Sequence, residues 1–176
     1  MELFGFAGKK GSGKNYIAQH LFLPFLKPKP SLIVAFADVF KLNGIVMDFL
    51  KREEVFGSNK SDYTREKLQQ QGHENGRLKY GDDIWIEYMN EKILMYSDRG
   101  IERFLITDVR YNNELEWIKE QDGYTFLVMG NNIEHDIHAS ENGITSTEFI
   151  DYVIDNREHD KTLGKVTDII KELEDD

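Results

Sequence analysis

The sequence predicts an α/β fold in which a parallel sheet of five strands is flanked by helices, and three observations lead there. Short apolar runs alternate with amphipathic helical patterns along the chain, as in parallel sheets built from strand–helix–strand units. A glycine-rich string separates the first apolar run from the first helical pattern. The length, 176 residues, suits one domain with a core of its own.

Leu3 to Ala7 is the first run, apolar enough for a buried strand. After Lys14 the segment through Tyr16, Ile17, Ala18, His20 and Leu21 reads as a helix ending near Pro24, and Lys27-Pro28-Lys29-Pro30 as a short connection. Further strands are expected at Leu32 to Ala37, Phe104 to Thr107, Thr125 to Met129 and Tyr152 to Ile154. Asp38 can cap a helix whose apolar positions Val39, Leu42, Val46, Phe49 and Leu50 share one face. A second helical stretch runs from about Thr64 to Gln71 and stops at Gly72. Asp82 or Asp83 opens a longer one through Trp85, Tyr88, Met89, Ile93 and Tyr96, closed by Asp98-Arg99-Gly100. The last two helices are expected at Asn113 to Glu120 and Lys161 to Glu174, before a frayed acidic end. The stretch of about 40–103 is longer than one crossover needs, so it reads as a helical insertion forming the wall of a second site.

A formal charge of −10 and a pI near 5.0 argue against general affinity for nucleic acid or anionic membrane. Positive charge has to be placed locally. With no cysteine the chain has neither disulfides nor thiolate nucleophiles, which fits a reducing compartment. No apolar run approaches membrane-spanning length and the first strand starts almost at Met1, so a cytoplasmic protein is expected.

Gly8-Lys9-Lys10-Gly11-Ser12-Gly13-Lys14-Asn15 follows G-x-x-x-x-G-K-[ST] except at its last residue. In that pattern glycines let backbone N–H groups converge on phosphate oxygens, the lysine reaches the β and γ phosphates, and the closing hydroxyl holds Mg²⁺. Here Asn15 stands in place of the hydroxyl. A nucleoside triphosphate with Mg²⁺ is therefore the first ligand to expect, held by Gly8, Lys9, Gly11, Ser12, Gly13, Lys14, Asn15 and Tyr16.

Asp108, at the end of an apolar strand, is the second acidic element such loops use for Mg²⁺, so Asn15 and Asp108 are the candidate metal residues. Arg110 offers a planar cation where ligands bind in open α/β sheets, or else a salt bridge to Asp108 or Glu114. Glu114 reads equally as a functional group or as a solvated first-turn carboxylate. Arg65 and Gln69, four apart, project from one helix face and suit an anion and a base edge, with Arg77 able to join them; a polar surface helix is the plain alternative. Trp85 can stack on a base or lie in the core. His135 and His138 are spaced three apart without a defined third ligand, which fits a polar loop better than a metal site; about 130–147 would be a lid.

Several motifs in this order resemble the bacteriophage deoxynucleoside monophosphate kinases and, more distantly, the animal-type phosphomevalonate kinases of the P-loop nucleoside monophosphate kinase-like group. They are Ala7 to Asn15, Phe36-Ala37-Asp38, Arg65-x-x-Leu68-Gln69-x-x-Gly72, Asp83-x-Trp85, Thr107-Asp108-Val109-Arg110-Tyr111-x-Asn113-Glu114, His138-Ala139-Ser140-Glu141, and Asp151-x-x-Ile154-x-Asn156 followed by Leu163. The match spans most of the chain. Relatives commonly carry Asp where this chain has Asn15, and a small hydroxyl residue where it has His73.

The resemblance implies a three-layer P-loop kinase fold, ATP and Mg²⁺ as cofactors, and a deoxynucleoside monophosphate as partner. The acceptor would lie near Asp38, Arg65, Gln69, Gly72, His73, Arg77, Trp85, Arg110 and Glu114. Lys14, Arg65, Asp108 and Arg110 are then the candidate catalytic residues. A host cytoplasm is expected if the source is viral, and a homodimer is left open. Two other readings stand: a phosphomevalonate kinase-like enzyme, and a nucleotide-binding regulatory module without an acceptor.

Overall fold

The computed structural model describes residues 1–57, 59–130 and 143–175. In chain order the elements are β1 (Glu2–Ala7), α1 (Lys14–Tyr16), β2 (Ser31–Val34), α2 (Asp38–Met47), α3 (Arg52–Phe56), α4 (Asp62–Gln69), α5 (Leu78–Tyr80), α6 (Ile84–Ser97), β3 (Arg103–Val109), α7 (Asn112–Glu120), β4 (Tyr124–Met129), β5 (Tyr152–Asp155) and α8 (His159–Asp175). The chain divides into two compact units, Met1–Ala35 with Leu94–Asp176, and Phe36–Ile93.

The first unit holds the five-stranded sheet, ordered β2-β3-β1-β4-β5 with every neighbouring pair parallel. The predicted α/β class and all five strands are therefore observed, although β2 ends at Val34 rather than Ala37. β1 is central: the chain runs from it to the edge strand β2, returns through β3, and then crosses to β4 and β5 on the other side of β1. Its carboxyl end is thus a switch point, where ligands bind in open α/β sheets.

One face of the sheet is packed by aromatic rings. Phe6 stacks on Phe126 with centroids 4.8 Å apart, and Phe22 meets Phe4, Phe6 and Phe126 edge-on. Ile17, Ala18 and Leu21 join them from the segment after α1, and Val166, Ile169 and Ile170 from α8. α7 packs against β1 and β4 and buries Leu115, Trp117 and Ile118.

After α1 the path widens into a π-helical turn over Ile17–Phe22 and tightens into a 3₁₀ turn over Leu23–Phe25. Pro24, which has no N–H to donate back, lies in that closing turn.

The second unit has a small core of Leu50, Val55 and Leu68, with Phe40 and Ile45 packed on it. α3, between the first two expected helices, was not anticipated. Gly72 does not stop the second helical stretch: α4 passes into a π-helix over Gln70–Arg77 and then into α5. The expected apolar face of α2 is not buried as a whole. Leu42 is 55 % exposed and Val46 67 %, while Gly44 and Leu50 are buried. The helix ends at Met47, so Phe49 has left the helical face; it occupies the left-handed position beyond the cap, at φ 53° and 89 % exposed. Leu50 N–H then reaches back to the Gly44 carbonyl at 3.2 Å.

Candidate active site

The Gly8–Asn15 loop follows β1 directly, and three of its glycines have positive φ: Gly8 139°, Gly11 77° and Gly13 93°. Two also have no room for a side chain. A Cβ on Gly8 would lie 2.3 Å from the Val128 carbonyl oxygen, and one on Gly13 would lie 2.1 Å from Asn156 Nδ2. The loop is thus pressed between the end of β4 and the residue after β5.

Lys14 is buried at the start of α1, and its ammonium donates to the carbonyls of Gly8 at 2.5 Å and Lys9 at 2.9 Å. Ser12 N–H closes the turn onto the Lys9 carbonyl at 3.1 Å. The Ser12 hydroxyl is buried and has no hydrogen-bond partner among the described residues. A backbone cradle that excludes side chains, a buried ammonium and an unsatisfied hydroxyl together fit a polyphosphate anion. Asn15 and Tyr16 lie on the exposed side of α1, where the Tyr16 ring is 5.2 Å from His20 and 6.3 Å from His159.

Asp108 reaches the neighbourhood of this loop through an irregularity in the sheet. Gly5 pairs with Ile106 and Ala7 with Val109, so β3 carries Thr107 and Asp108 where β1 has only Phe6. Such a bulge re-aims side chains and is common beside sites. It leaves Asp108 half-buried, one residue from the partner of Ala7, which immediately precedes the loop. One carboxylate and the Asn15 amide suit Mg²⁺, which keeps several waters and takes phosphate oxygens as its other ligands.

Glu114 is not the solvated first-turn carboxylate that one of its two readings expects. It is buried, and its Oε2 accepts the N–H groups of Arg110 at 2.7 Å and Tyr111 at 3.2 Å, satisfying backbone donors at the start of α7. This fixes the backbone that carries the half-buried Arg110. Residues 143–145, from the end of the expected lid, dock on the same turn. Asn112 and Thr145 exchange hydrogen bonds of 2.7 and 3.1 Å, and Gly143 lies against the Arg110 carbonyl and the Tyr111 ring. His135 and His138 fall outside the described residues. Among the described residues no group of three or more His, Asp and Glu side chains is gathered for a metal ion.

In the second unit, Arg65 is half-buried on α4 with its Nε donating to the Lys60 carbonyl at 3.2 Å, and Gln69 is exposed one turn on. The Lys60 ammonium donates to the Gly57 carbonyl. Next to Gly57, the Phe56 ring lies 5.6 Å under the Lys41 ammonium. Burial, and then the like charges of Lys41 and Arg65, hold the Lys60 ammonium below its ordinary pKa. Three cations therefore meet on one small unit of an acidic chain. Lys60 and Lys41 were not singled out in the sequence, although Ser61, whose hydroxyl accepts the Thr64 N–H at 3.3 Å, is a legible helix cap that places Lys60 just ahead of α4.

The other expected acceptor residues are held by contacts within the protein. Trp85 is buried, its Nε1–H donates to the Gly72 carbonyl at 2.8 Å, and its ring packs on Phe40 at 5.2 Å and against Gly76. Arg77 is buried and donates to the Asp82 carbonyl. Asp38 heads α2 as the counter-ion of Lys92 at 2.6 Å and Lys41 at 3.9 Å. A Cβ on Gly72 would lie 3.3 Å from the Phe40 ring, and His73 is half-buried in the π-helical segment.

No protein-family model matches the chain. Among curated proteins it is similar, at 28% identity over 177 residues and 89% of either chain, to a protein of Acanthamoeba polyphaga mimivirus named "Putative deoxynucleotide monophosphate kinase". Among solved structures, dephospho-CoA kinase from Campylobacter jejuni aligns over 98% of each chain at 12% identity with a TM-score of 0.47. The resemblance carried by the motifs and the name of this viral relative point to the same family of kinases.

Proposed function

We propose that this chain is a kinase that transfers the γ-phosphoryl group of ATP to the 5′-phosphate of a deoxynucleoside monophosphate. The observation that carries the reading is the Gly8–Asn15 loop, whose backbone is shaped for phosphate and whose Lys14 ammonium is already held on it. The viral relative's name supplies the acceptor class, and the Lys41, Lys60 and Arg65 cluster supplies cations suited to an acceptor phosphate.

In the transfer, an acceptor phosphate oxygen forms a bond to the γ phosphorus as the bond from that phosphorus to the β–γ bridging oxygen breaks, releasing ADP. The acceptor is already anionic at neutral pH, so no strong base is required. Catalysis rests on in-line positioning and charge neutralisation. Lys14 and the loop N–H groups bind the donor; Arg65, with Lys60 and Lys41, gathers the acceptor phosphate; Arg110 adds a cation at the carboxyl end of β3. Asn15 and Asp108 would hold Mg²⁺, directly or through water, and the ion offsets charge on the donor phosphates.

Burial of Trp85 leaves Gln69 as the residue suited to a base edge, and this keeps a phosphomevalonate kinase-like enzyme as the second reading. A coupled assay for ADP release with deoxynucleoside monophosphates and phosphomevalonate decides between them. Turnover with the former supports the proposal. Turnover with phosphomevalonate alone replaces it, and ATP binding without turnover on any acceptor leaves a regulatory module.

A further inference from the structure

Asn156 follows β5, far in sequence from the glycine-rich loop, yet its side chain ends on that loop. Nδ2 donates to the Ser12 carbonyl at 3.0 Å and lies 2.1 Å from the point a Gly13 Cβ would occupy. The amide orientation follows from chemistry, since exchanging Nδ2 with Oδ1 would set two acceptors against each other.

The residue has little freedom. Its own N–H continues the sheet ladder onto the Met129 carbonyl at 2.7 Å, and the preceding carbonyl, that of Asp155, accepts from the Thr162 hydroxyl at 2.8 Å. The contact is thus built from β4, β5 and α8 together, and it leaves room for no residue but glycine at position 13.

The peptide linking Ser12 to Gly13 is trans, so its C=O and N–H point in opposite directions. Holding the Ser12 carbonyl toward Asn156 turns the Gly13 N–H to the opposite side of the loop. We propose that Asn156 is a positioning residue for the donor triphosphate, fixing the Ser12–Gly13 peptide with the Gly13 N–H ready to donate to a phosphate oxygen. The inference rests on the reading of the loop as the ATP site and adds a residue to it that the loop motif does not contain. An isolated loop could rotate this peptide at small cost. Asn156 removes that rotation before ATP arrives, which lowers the ordering cost of binding.

The test compares Asn156→Asp, which keeps the shape but cannot donate, and Asn156→Ser, whose hydroxyl falls short of the carbonyl. ATP·Mg²⁺ is the donor probe, and dTMP and dGMP are the acceptor probes. Calorimetric titration should show ATP affinity lowered about ten-fold or more in both variants, the scale of one misdirected hydrogen bond to a charged group. Affinity for the acceptor probes should stay within about two-fold, and the ligand-free Tm should fall by no more than about 4 °C, as expected for a change of about 1 kcal/mol.

A merely structural role would instead lower Tm and weaken donor and acceptor binding together, and that result overturns the inference. So does ATP affinity equal to that of the unaltered protein in either variant. If the unaltered protein itself binds no ATP, the loop reading fails and the inference with it. Intact binding in the unaltered protein and in both variants removes the role of Asn156 alone.

Discussion

In the first unit the Lys14 ammonium is buried and rests on two carbonyls of its own loop. In the second, the Lys60 ammonium is half-buried beside two further cations whose charge disfavours its own. The first arrangement is satisfied by the protein itself, so its geometry is fixed before any ligand binds. The second leaves an ammonium that burial and then its like-charged neighbours both disfavour. The proposed donor site is thus built on backbone shape, and the proposed acceptor site on side-chain charge.

The largest expected effect tests the donor side of that contrast. Lys14→Ala should lower kcat/KM for ADP release by about 10²–10³-fold, the usual cost of losing one preorganised donor to developing charge. Asp108→Asn should cost far more activity than Asn15→Ser. Equal, mild effects would remove the division of labour between the two residues.

Next in size is a loss of stability without direct loss of a ligand contact. Trp85→Ala should destabilise the protein by about 3–5 kcal/mol in denaturant titration, as for other buried aromatic truncations. A stable variant with raised acceptor KM would return Trp85 to the ligand side.

Arg65→Ala should raise acceptor KM about ten-fold while sparing ATP affinity, by loss of one charge-assisted contact. Lys60→Ala should act in the same direction. With one like charge removed, the remaining pair should suffer less repulsion, so the double variant should fall short of the sum of the singles. Steady-state kinetics on the four proteins measures this. An acceptor KM unmoved in either single variant separates that residue from the phosphate.

The smallest effect lies on β5 of the first unit, apart from the Lys14 and Lys60 ammonium groups. Burial and a hydrogen bond to Glu172 push the Tyr152 hydroxyl up to about 12 from an ordinary 10.0. The folded state then holds this proton more tightly than the unfolded state. Its contribution is complete below about pH 10 and is lost as pH rises from about 10 to about 12. Urea midpoints followed across that window should fall less steeply for Tyr152→Phe.

The same contrast explains what could be read in the sequence. The loop was legible because its backbone requires glycines at particular positions, and residue identity reports that directly. The five strands and Asp108 were legible through apolar runs and a strand-end carboxylate. The bulge that places Asp108 was not, because register belongs to a pair of strands. Glu114, Arg77 and Trp85 carry groups that suit a ligand equally well. Composition does not reveal that the N–H groups of Arg110 and Tyr111 claim the first, or that the carbonyls of Asp82 and Gly72 accept from the other two. Asn156 was visible as part of a familial ending, but its reach to Ser12 depends on the order of β1, β4 and β5.

Phe49 shows where this chain has room to change. A bulky aromatic in the left-handed region costs roughly 1 kcal/mol over glycine, and its ring is also left in water. Glycine at this position would keep the turn after α2 while removing the backbone strain, a gain of a few degrees in thermal tolerance from one codon. The sequence therefore lies below its own stability optimum at a position remote from the phosphate loop in sequence, leaving a margin for engineering that does not begin at the chemistry.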